Sequence, residues 1–223
     1  MPNDEFDIIT FDCYGTLIDW ESGIIDAFQS EAIKDGVVLE SNQIITAYGI
    51  EEPGVESEAY RSYRDVLSET ACRVATRLGW ALARERASFL ANSLQDWKPF
   101  PDANPALERL ARRFQLGILS NVDDDLLTGT RLHFTVRFDL IVTAQQVKSY
   151  KPAFAHFKEA LARAGDKQLL HAAQSYFHDV VPTSKLGIPA VWVNRKGESA
   201  EVDGPLPARE VRNLTELAEL LGA

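Results

Sequence analysis

The sequence predicts an α/β protein, with a Rossmann-like parallel sheet core, helices on both faces of the sheet and an inserted helical cap. The first observation is that short apolar runs alternate with amphipathic helical patterns from residue 99 onward, as in β-α-β units. The second is that only helical patterns fill residues 20–97. The predicted strands are residues 6–11, 116–119, 138–142, 171–173 and 190–193.

The helical block separates the first predicted strand from all the others. Its apolar stripes recur at steps of three or four residues. They predict helices over residues 19–36, 41–48, 59–78 and 82–97. Pro53 and Gly54 predict a loop over 51–58, and Pro99 with Pro101 ends the block, because proline disrupts a helix interior.

These breaks give the expected domain organisation. We expect an α/β core domain made of residues 1–18 and 99–223, and a helical cap domain made of residues 19–98. Within the core, Asn104 is the predicted N-cap of the first helix after the block. The region 195–210 is rich in glycine, proline and charge, and it is predicted to be a loop.

Composition and charge limit the class of protein. The chain has 223 residues, is 45% hydrophobic and 25% charged, and has no run long enough to span a membrane, so we expect a soluble protein without a membrane partner. Residues 1–7 carry acids and no basic, apolar leader, which favours the cytoplasm. The formal net charge of -10 repels polyanions, and the basic cluster Arg109, Arg112 and Arg113 is small. We therefore expect no nucleic-acid partner.

The two cysteines, Cys13 and Cys72, are too few for a disulfide scaffold and lack the spacing of metal ligands. Both are expected to be reduced. The neighbouring Asp12 raises the pKa of the Cys13 thiol, which argues against a nucleophilic thiolate. Cys13 is therefore expected to act as a small buried side chain.

Polar side chains follow the predicted strands at the points where the strands end. They are Asp12, Ser120, Asn121, Lys151, Ser175 and Asp179. The carboxyl ends of parallel strands lie along one edge of a sheet, so these side chains are expected to share one site. Gly15 permits a sharp turn after Asp12, and the amides of Cys13, Tyr14 and Gly15 are expected to converge on an anion.

The order of these residues resembles the four motifs of the haloacid dehalogenase superfamily over essentially the whole chain. Residues 12–17 match its first motif, Asp-x-x-Gly-Thr-Leu. Ser120-Asn121 matches the second, Lys151-Pro152 the third, and Asp179 ends the fourth. The resemblance implies that Asp12 is a nucleophile that forms a covalent aspartyl intermediate with the substrate.

Two departures from the superfamily's phosphatases favour dehalogenation. Those phosphatases carry an acid two residues after the nucleophile to protonate a leaving alcohol, and Tyr14 stands there in this chain. A halide is a very weak base and needs no such proton. Phosphatases also use an aspartate for Mg²⁺ where this chain has Gln174. The resemblance therefore implies a hydrolase of short 2-haloacids that uses no metal or other cofactor.

By resemblance, Asp12 attacks C2 of the haloacid and water then hydrolyses the ester. Lys151, paired with Asp179, is expected to orient Asp12 and to favour its ionised form. The expected substrate-binding residues are Cys13, Tyr14, Ser120, Asn121 and Ser175, and the amides of Cys13 and Tyr14 with Ser120 are expected to hold the substrate carboxylate.

The superfamily's dehalogenases also have a cap arginine at the halide site. Arg61 and Arg64, at helical spacing, are candidates for this role beside Asn121, and the alternative is that both are solvated arginines beside Glu58 and Asp65. The dehalogenases further carry an asparagine three residues before the last aspartate. Tyr176 stands there, so the residue that positions the hydrolytic water stays open.

Two other functions remain open on the sequence. One is a Mg²⁺-dependent phosphatase of small phosphate esters that tolerates Tyr14 and Gln174. The other is a non-catalytic relative that binds a metabolite through the same site. The expected partner is a small molecule, and the oligomeric state, monomer or homodimer, is not fixed by the sequence.

Overall fold

The computed structural model describes residues 6–223 of the chain, so the expected absence of a leader in residues 1–7 lies largely outside the described residues. Within them the chain forms one six-stranded sheet. The strands are β1 (Ile8–Phe11), β2 (Gln115–Ser120), β3 (Leu140–Thr143), β4 (Leu169–Ala173), β5 (Ala190–Val193) and β6 (Arg209–Val211). The five predicted strands are present, and the predicted α/β class is confirmed.

All neighbouring strands of this sheet are parallel, in the order β3-β2-β1-β4-β5-β6. The order reverses between β1 and β4, because successive strands are added on one side of β1 and then on the other. Such switch points are where open α/β sheets bind ligands, just beyond the carboxyl ends of the strands. In register, Phe11 pairs with Ile118 of β2 and with Ala172 of β4, so the end of β1 lies between two other strand ends.

The central strand β1 is buried along its whole length, Ile8 to Phe11. Successive side chains of a strand point to opposite faces, so continuous burial requires cover on both faces of the sheet. On one face, Phe157 of the helix after β3 packs among Ile8, Leu119 and Leu169. This two-sided cover holds the strand ends rigidly.

The helices are α1 (Trp20–Ala32), α2 (Ser41–Glu56), α3 (Tyr63–Arg77), α4 (Phe89–Ser93), α5 (Ala103–Leu110), α6 (Asp124–Arg131), α7 (Ala144–Val147), α8 (Ala155–Ala164), α9 (Val181–Lys185) and α10 (Leu214–Leu220). Among residues 6–223, no helix combines the length and the apolar character that a membrane span requires.

The chain divides into two compact units. One comprises residues 1–18, 99–121 and 133–223, and it contains the sheet. The other comprises 19–98 and 122–132, and it is helical. The sequence assigns residues 122–132 to the core, whereas in the structure α6 groups with the helical unit. That the helical unit serves as a cap for the site stays a prediction.

Helix α2 is twice as long as the sequence predicts, because it continues through Pro53 to Glu56, and the predicted loop over 51–58 is wrong. Tyr48 and Val55 are seven residues apart and both buried, so the extra turns continue the buried face. Pro53 itself is exposed. Here the burial of Val55 outweighs the missing hydrogen bond of the proline.

Helix α3 has Ser62 as its N-cap, and a second capping residue lies far from it in the sequence. The helix begins at Tyr63 rather than 59, and the Asp123 carboxylate accepts hydrogen bonds from the backbone N–H groups of Tyr63 (3.0 Å) and Arg64 (2.9 Å). An anion at a helix N-terminus satisfies donors that have no partner within the helix.

Three further predictions differ from the structure. The predicted helix over 82–97 is α4 flanked by the 3₁₀ turns Arg84–Arg86 and Leu94–Asp96. Asn104 lies inside α5 and bonds the backbone of His133 (2.9 Å) instead of capping the helix. The predicted loop over 195–210 contains the start of β6, a short edge strand with two exposed residues that gives no hydrophobic pattern.

We expect Gly117→Ala to lower the free energy of unfolding by about 1 to 3 kcal/mol. A Cβ atom at Gly117 would lie 2.9 Å from the backbone oxygen of Leu140, so β2 and β3 would have to move apart. Gly49→Ala is the matched control, because a Cβ there meets no atom within 4 Å and alanine favours the helix by about 0.5 to 1 kcal/mol. Urea unfolding of both variants checks this, and equal effects would contradict the packing explanation.

Candidate active site

A buried ammonium group lies at the centre of the site. Lys151 is 2% exposed, and its Nζ donates to Asp12 Oδ1 (2.8 Å), to Asp179 Oδ1 (2.7 Å) and to the carbonyl oxygen of Leu119 (2.9 Å). A lysine ammonium has three hydrogens, and these three contacts use all of them. The predicted pairing of Lys151 with Asp179 is therefore present, and residues from three strand ends meet at one atom.

The Asp12 carboxylate is held at both oxygens. Lys151 binds Oδ1, and the Thr16 hydroxyl donates to Oδ2 at 3.0 Å. Thr16 is itself fixed, because its hydroxyl oxygen accepts a hydrogen bond from the backbone N–H of Gln174 (2.9 Å). The Arg195 guanidinium donates to the Thr16 carbonyl (2.9 Å). Asp12 is thus oriented by neighbours that are themselves held in place.

Arg195 joins the first turn of the site to a distant part of the same unit. It forms a two-contact ion pair with Asp102 (3.1 and 3.0 Å), and its guanidinium stacks 4.0 Å from the Phe100 ring centroid. A planar guanidinium that is paired and stacked has little freedom. Its bond to Thr16 therefore restrains the loop behind Asp12.

Asp179 lies in a π-helical turn, Tyr176–Val180, directly after β4. Its Oδ1 accepts from Lys151 and also lies 3.0 Å from Nε2 of His171. Its Oδ2 is buried and has no hydrogen-bond partner among the described residues. Single π turns are frequent at functional sites, where the extra residue redirects a side chain.

The charges of this cluster shift one another's pKa values. Burial raises the pKa of Asp12, and although Lys151 acts in the opposite direction, burial and the nearby Asp179 prevail. The sequence predicts the influence of Lys151 correctly in sign, but the net shift of Asp12 is upward. Burial alone would lower the pKa of Lys151, yet the two carboxylates raise it above its usual value. Lys151 and the bond from His171 hold the pKa of Asp179 below its usual range despite its burial.

Ser120 is the last residue of β2 and is fully buried. Its hydroxyl has no hydrogen-bond partner within residues 6–223, which is costly unless a ligand supplies one. Its carbonyl lies 3.1 Å from Nε2 of His156. Burial and the Lys151 charge lower the pKa of His156 to about 3, so this ring is neutral and donates to the Ser120 carbonyl.

The side chains of Asn121 and Ser175 bind backbone groups. The Asn121 amide oxygen accepts from the N–H of Lys151 (2.7 Å), and its NH₂ donates to the Lys151 carbonyl (3.1 Å), so Asn121 fixes the segment that carries the ammonium. Ser175 accepts from the N–H of His178 (3.0 Å) and caps the π turn. The predicted contacts of these two residues with substrate or halide stay predictions.

The turn after Asp12 has the predicted sharp bend, with Gly15 at φ 97°. The N–H of Gly15 donates to the Ile18 carbonyl (2.8 Å), however, so the expectation that this amide binds an anion is wrong. Burial and Asp12 raise the pKa of Cys13 well above its usual value, as predicted. The amides of Cys13 and Tyr14 remain the predicted anion ligands.

Comparison with known proteins identifies the family. The family model of haloacid dehalogenase-like hydrolases matches residues 6–173, which is more than half of the chain. The chain is a haloacid dehalogenase-like hydrolase. Its curated relatives include an (S)-2-haloacid dehalogenase of Pseudomonas putida, 27% identical over 96% of both chains. They also include a glyceraldehyde 3-phosphate phosphatase of Methanothermobacter thermautotrophicus, 25% identical over 76% of this chain and 84% of that protein.

Solved structures share the fold of this hydrolase. One is the L-2-haloacid dehalogenase of Xanthobacter autotrophicus with chloropropionic acid covalently bound. The TM-score is 0.85, with 19% sequence identity, and the match covers 98% of this chain and 99% of the other. At this level of identity the likeness shows the fold. The resemblance on which the sequence prediction depended is thereby confirmed at the level of the family.

The donor set of this hydrolase does not fit Mg²⁺ well. Asp12 and Asp179 are the two carboxylates, and three of their four oxygens already accept hydrogen bonds from Lys151, Thr16 or His171. Gln174, a neutral amide, stands where the family's phosphatases have a third carboxylate. Mg²⁺ takes six oxygen ligands in near-octahedral geometry. We therefore derive no step through a metal ion.

The candidate halide ligands Arg61 and Arg64 lie in the helical unit, and only Arg64 is part of helix α3. Arg61 pairs with Glu58, as the alternative interpretation predicts. Arg64 pairs with Asp125 at 2.7 Å rather than with Asp65, and it donates to Asn92 at 3.1 Å. Their assignment as halide ligands stays a prediction.

Sequence reasoning missed two side chains that bind the central carboxylates, Thr16 and His171. Thr16 belongs to the first motif, and a hydroxyl four residues after Asp12 is a signal that was available. His171 is a polar residue inside the apolar run Leu169–Ala173. A buried imidazole requires hydrogen-bond partners, so a histidine within this apolar strand was a signal of a polar contact in the core.

We expect Lys151→Met to lower the free energy of unfolding at neutral pH by about 3 to 5 kcal/mol, because two buried carboxylates would lose their cation. The unpaired carboxyls have raised pKa values in the folded state, so the loss should shrink in mildly acidic buffer as they become protonated. Chemical denaturation at both pH values checks this. Lys185→Met, at an exposed position, is the control, and a loss as small as that of the control would contradict the pairing.

Proposed function

We propose that the protein is a hydrolytic dehalogenase of short 2-haloalkanoic acids. The observation that carries the proposal is a buried Asp12 carboxylate, oriented at both oxygens, with Tyr14 in the place of a leaving-group acid. The similarity to an (S)-2-haloacid dehalogenase over nearly the whole chain supports it. A halide leaves without a proton, so this constellation suits cleavage of a carbon–halogen bond.

The first step is displacement at carbon. An oxygen of Asp12 attacks C2 of the haloacid from the side opposite the halogen, the C–O bond forms, and the halide departs with the bonding electrons. The configuration at C2 is inverted. The Xanthobacter autotrophicus dehalogenase with chloropropionic acid covalently bound supports a covalent intermediate in this fold. Lys151 and Thr16 hold Asp12 for this attack.

The substrate carboxylate needs donors near Asp12. Phe11 of β1 pairs in register with Ile118 of β2, and Ser120 lies two residues beyond Ile118. The buried Ser120 hydroxyl has no hydrogen-bond partner among the described residues, so it is available to the substrate. The amides of Cys13 and Tyr14 complete the proposed set. A haloacid brings a single negative charge to a cluster of two carboxylates and one ammonium, whereas a phosphate ester would bring up to two.

The second step is hydrolysis of the ester. Water attacks the ester carbonyl carbon of Asp12, the bond between that carbon and the oxygen attached to C2 breaks, and the 2-hydroxy acid leaves. The overall reaction consumes one water and releases one halide ion and one proton. The Asp12 carboxylate is restored beside Lys151, whose positive charge favours its return to the ionised state.

The similarity to a glyceraldehyde 3-phosphate phosphatase makes hydrolysis of phosphate esters the second function to test. Assays with 2-chloropropionate and with an aryl phosphate, each with Mg²⁺ and with EDTA, separate the two. Halide release that EDTA does not change supports the dehalogenase. Phosphate release that requires Mg²⁺ would support the phosphatase, and no activity on either substrate in folded protein would favour a binding protein.

We expect labelled oxygen from H₂¹⁸O to enter Asp12 during a single turnover, because water attacks the enzyme ester and not C2. Mass spectrometry of the peptide that contains Asp12 measures this. The labelled oxygen should reach the 2-hydroxy acid only in later turnovers. Label in the product of the first turnover would contradict the ester intermediate.

Asp12→Asn is the control for this experiment. The amide has nearly the same shape but is a poor nucleophile, so halide release should stop. The variant should take up no label in the same peptide. Halide release at the wild-type rate would show that Asp12 is not the nucleophile.

We expect Thr16→Val to move the acid limb of the pH profile of kcat/KM to higher pH. The Thr16 hydrogen bond lowers the pKa of Asp12, so its loss raises that pKa further above the usual value. Asp12 must be ionised to attack, so less enzyme is active at any acidic pH. Thr16→Ser keeps the hydroxyl and should leave the limb in place. Equal profiles for the two variants would contradict this role of Thr16.

A further inference from the structure

His171 is the one histidine among residues 6–223 that contacts a central carboxylate. It lies in the middle of β4, is fully buried, and places Nε2 3.0 Å from Asp179 Oδ1. Its Nδ1 lies 2.9 Å from the Thr10 hydroxyl oxygen. The Phe157 ring packs edge-on against it, at 5.4 Å between centroids and 85° between planes. The imidazole is therefore fixed on three sides.

The hydrogen-bond partners assign the protons of this ring. An ionised carboxylate only accepts hydrogen bonds, so Nε2 must carry a hydrogen that it donates to Asp179. The Thr10 hydroxyl donates to the Leu170 carbonyl (3.3 Å), and its oxygen lies 2.9 Å from Nδ1. The contact with Asp179 therefore places a hydrogen on Nε2 of His171.

The same oxygen of Asp179 receives both His171 and Lys151. Lys151 in turn binds Asp12 at 2.8 Å. An unbroken series of hydrogen bonds thus runs from Thr10 on β1, through His171, Asp179 and Lys151, back to Asp12 at the end of β1. Asp179 is thus one of the three acceptors that hold the Lys151 ammonium in place.

We propose that His171 is a positioning residue, which holds Asp179 so that the Lys151 ammonium stays against the nucleophile Asp12. The kinetic part of this inference rests on the proposed dehalogenase function. His171 donates no proton to the substrate and takes none from it. It acts by fixing the acceptor of the ammonium, as the outer partners of metal ligands fix the ligands.

The other fully buried histidine shows that burial alone does not create this arrangement. His156 donates from Nε2 to a backbone carbonyl, that of Ser120, and its Nδ1 has no partner among residues 6–223. It bonds no carboxylate. A substitution at His171 should therefore have an effect that the loss of a buried imidazole does not by itself explain.

The kinetic test compares two substitutions at His171. His171→Leu removes the donor at similar volume and should lower kcat by about 10- to 100-fold, as losses of such outer partners do, with KM nearly unchanged. His171→Gln can donate from close to the position of Nε2, so it should restore most of kcat. An equal fall in kcat for the two variants, or no fall in kcat for His171→Leu, would overturn the proposal.

Val191→Ala is the control for lost stability. Val191 is a fully buried side chain of the neighbouring strand β5, so its truncation weakens the core without touching a carboxylate. It should lower Tm while leaving kcat of the folded enzyme near that of the wild type. If kcat falls with Tm in the same way in Val191→Ala and His171→Leu, the effect of His171 is on stability alone and the positioning role is wrong.

A second measurement does not depend on catalysis. The ring ¹⁵N spectrum of histidine-labelled protein, assigned by comparison with His171→Gln, should show hydrogen on Nε2 of His171. Hydrogen on Nδ1 alone would overturn the proposal, because Nε2 could then not donate to Asp179. If no 2-haloacid releases halide, the proposed function fails, and this spectrum still decides whether His171 holds the carboxylate.

Discussion

The buried ammonium of Lys151 is the constraint on which the site depends. Two carboxylates at neighbouring strand ends repel each other, and removing both from water is costly unless a cation lies between them. Lys151 supplies that cation and donates its third hydrogen to the Leu119 carbonyl. The strand order meets this need, because β1, β2 and β4 are neighbours and their ends can converge on one nitrogen.

The cluster has one positive group and two carboxyl groups, and this imbalance makes the two carboxyl groups differ in pKa. One ammonium faces two carboxylates: burial and Asp179 raise the pKa of Asp12, whereas Lys151 and His171 lower that of Asp179 despite its burial. Asp12 is therefore the more basic of the two, which suits the nucleophilic role proposed for it. Asp179 serves better as a permanent anion that anchors Lys151. Two identical side chains thus acquire different roles from their surroundings.

The sequence predicts what is local or strictly ordered along the chain. The strands, the motif residues at their ends and the pairing of Lys151 with Asp179 follow from apolar runs and motif order. Thr16 and His171 were missed as ligands of the carboxylates because their partners are set by tertiary contacts. The same applies to Asp123, which caps a helix that begins sixty residues earlier. The length of α2 was missed because burial of Val55 overrides the usual effect of Pro53.

The turn after Asp12 limits the leaving groups that the site can serve. An aspartate at position 14 could donate a proton to a departing alkoxide, but a tyrosine in that position has a hydroxyl of much higher pKa and greater reach. Without a sufficiently strong acid beside it, an alkoxide would leave as a strong base, which is slow. A halide leaves at once as a stable anion. Under the proposed function, the residue at position 14 therefore separates two chemistries that can share the same aspartate, lysine and sheet.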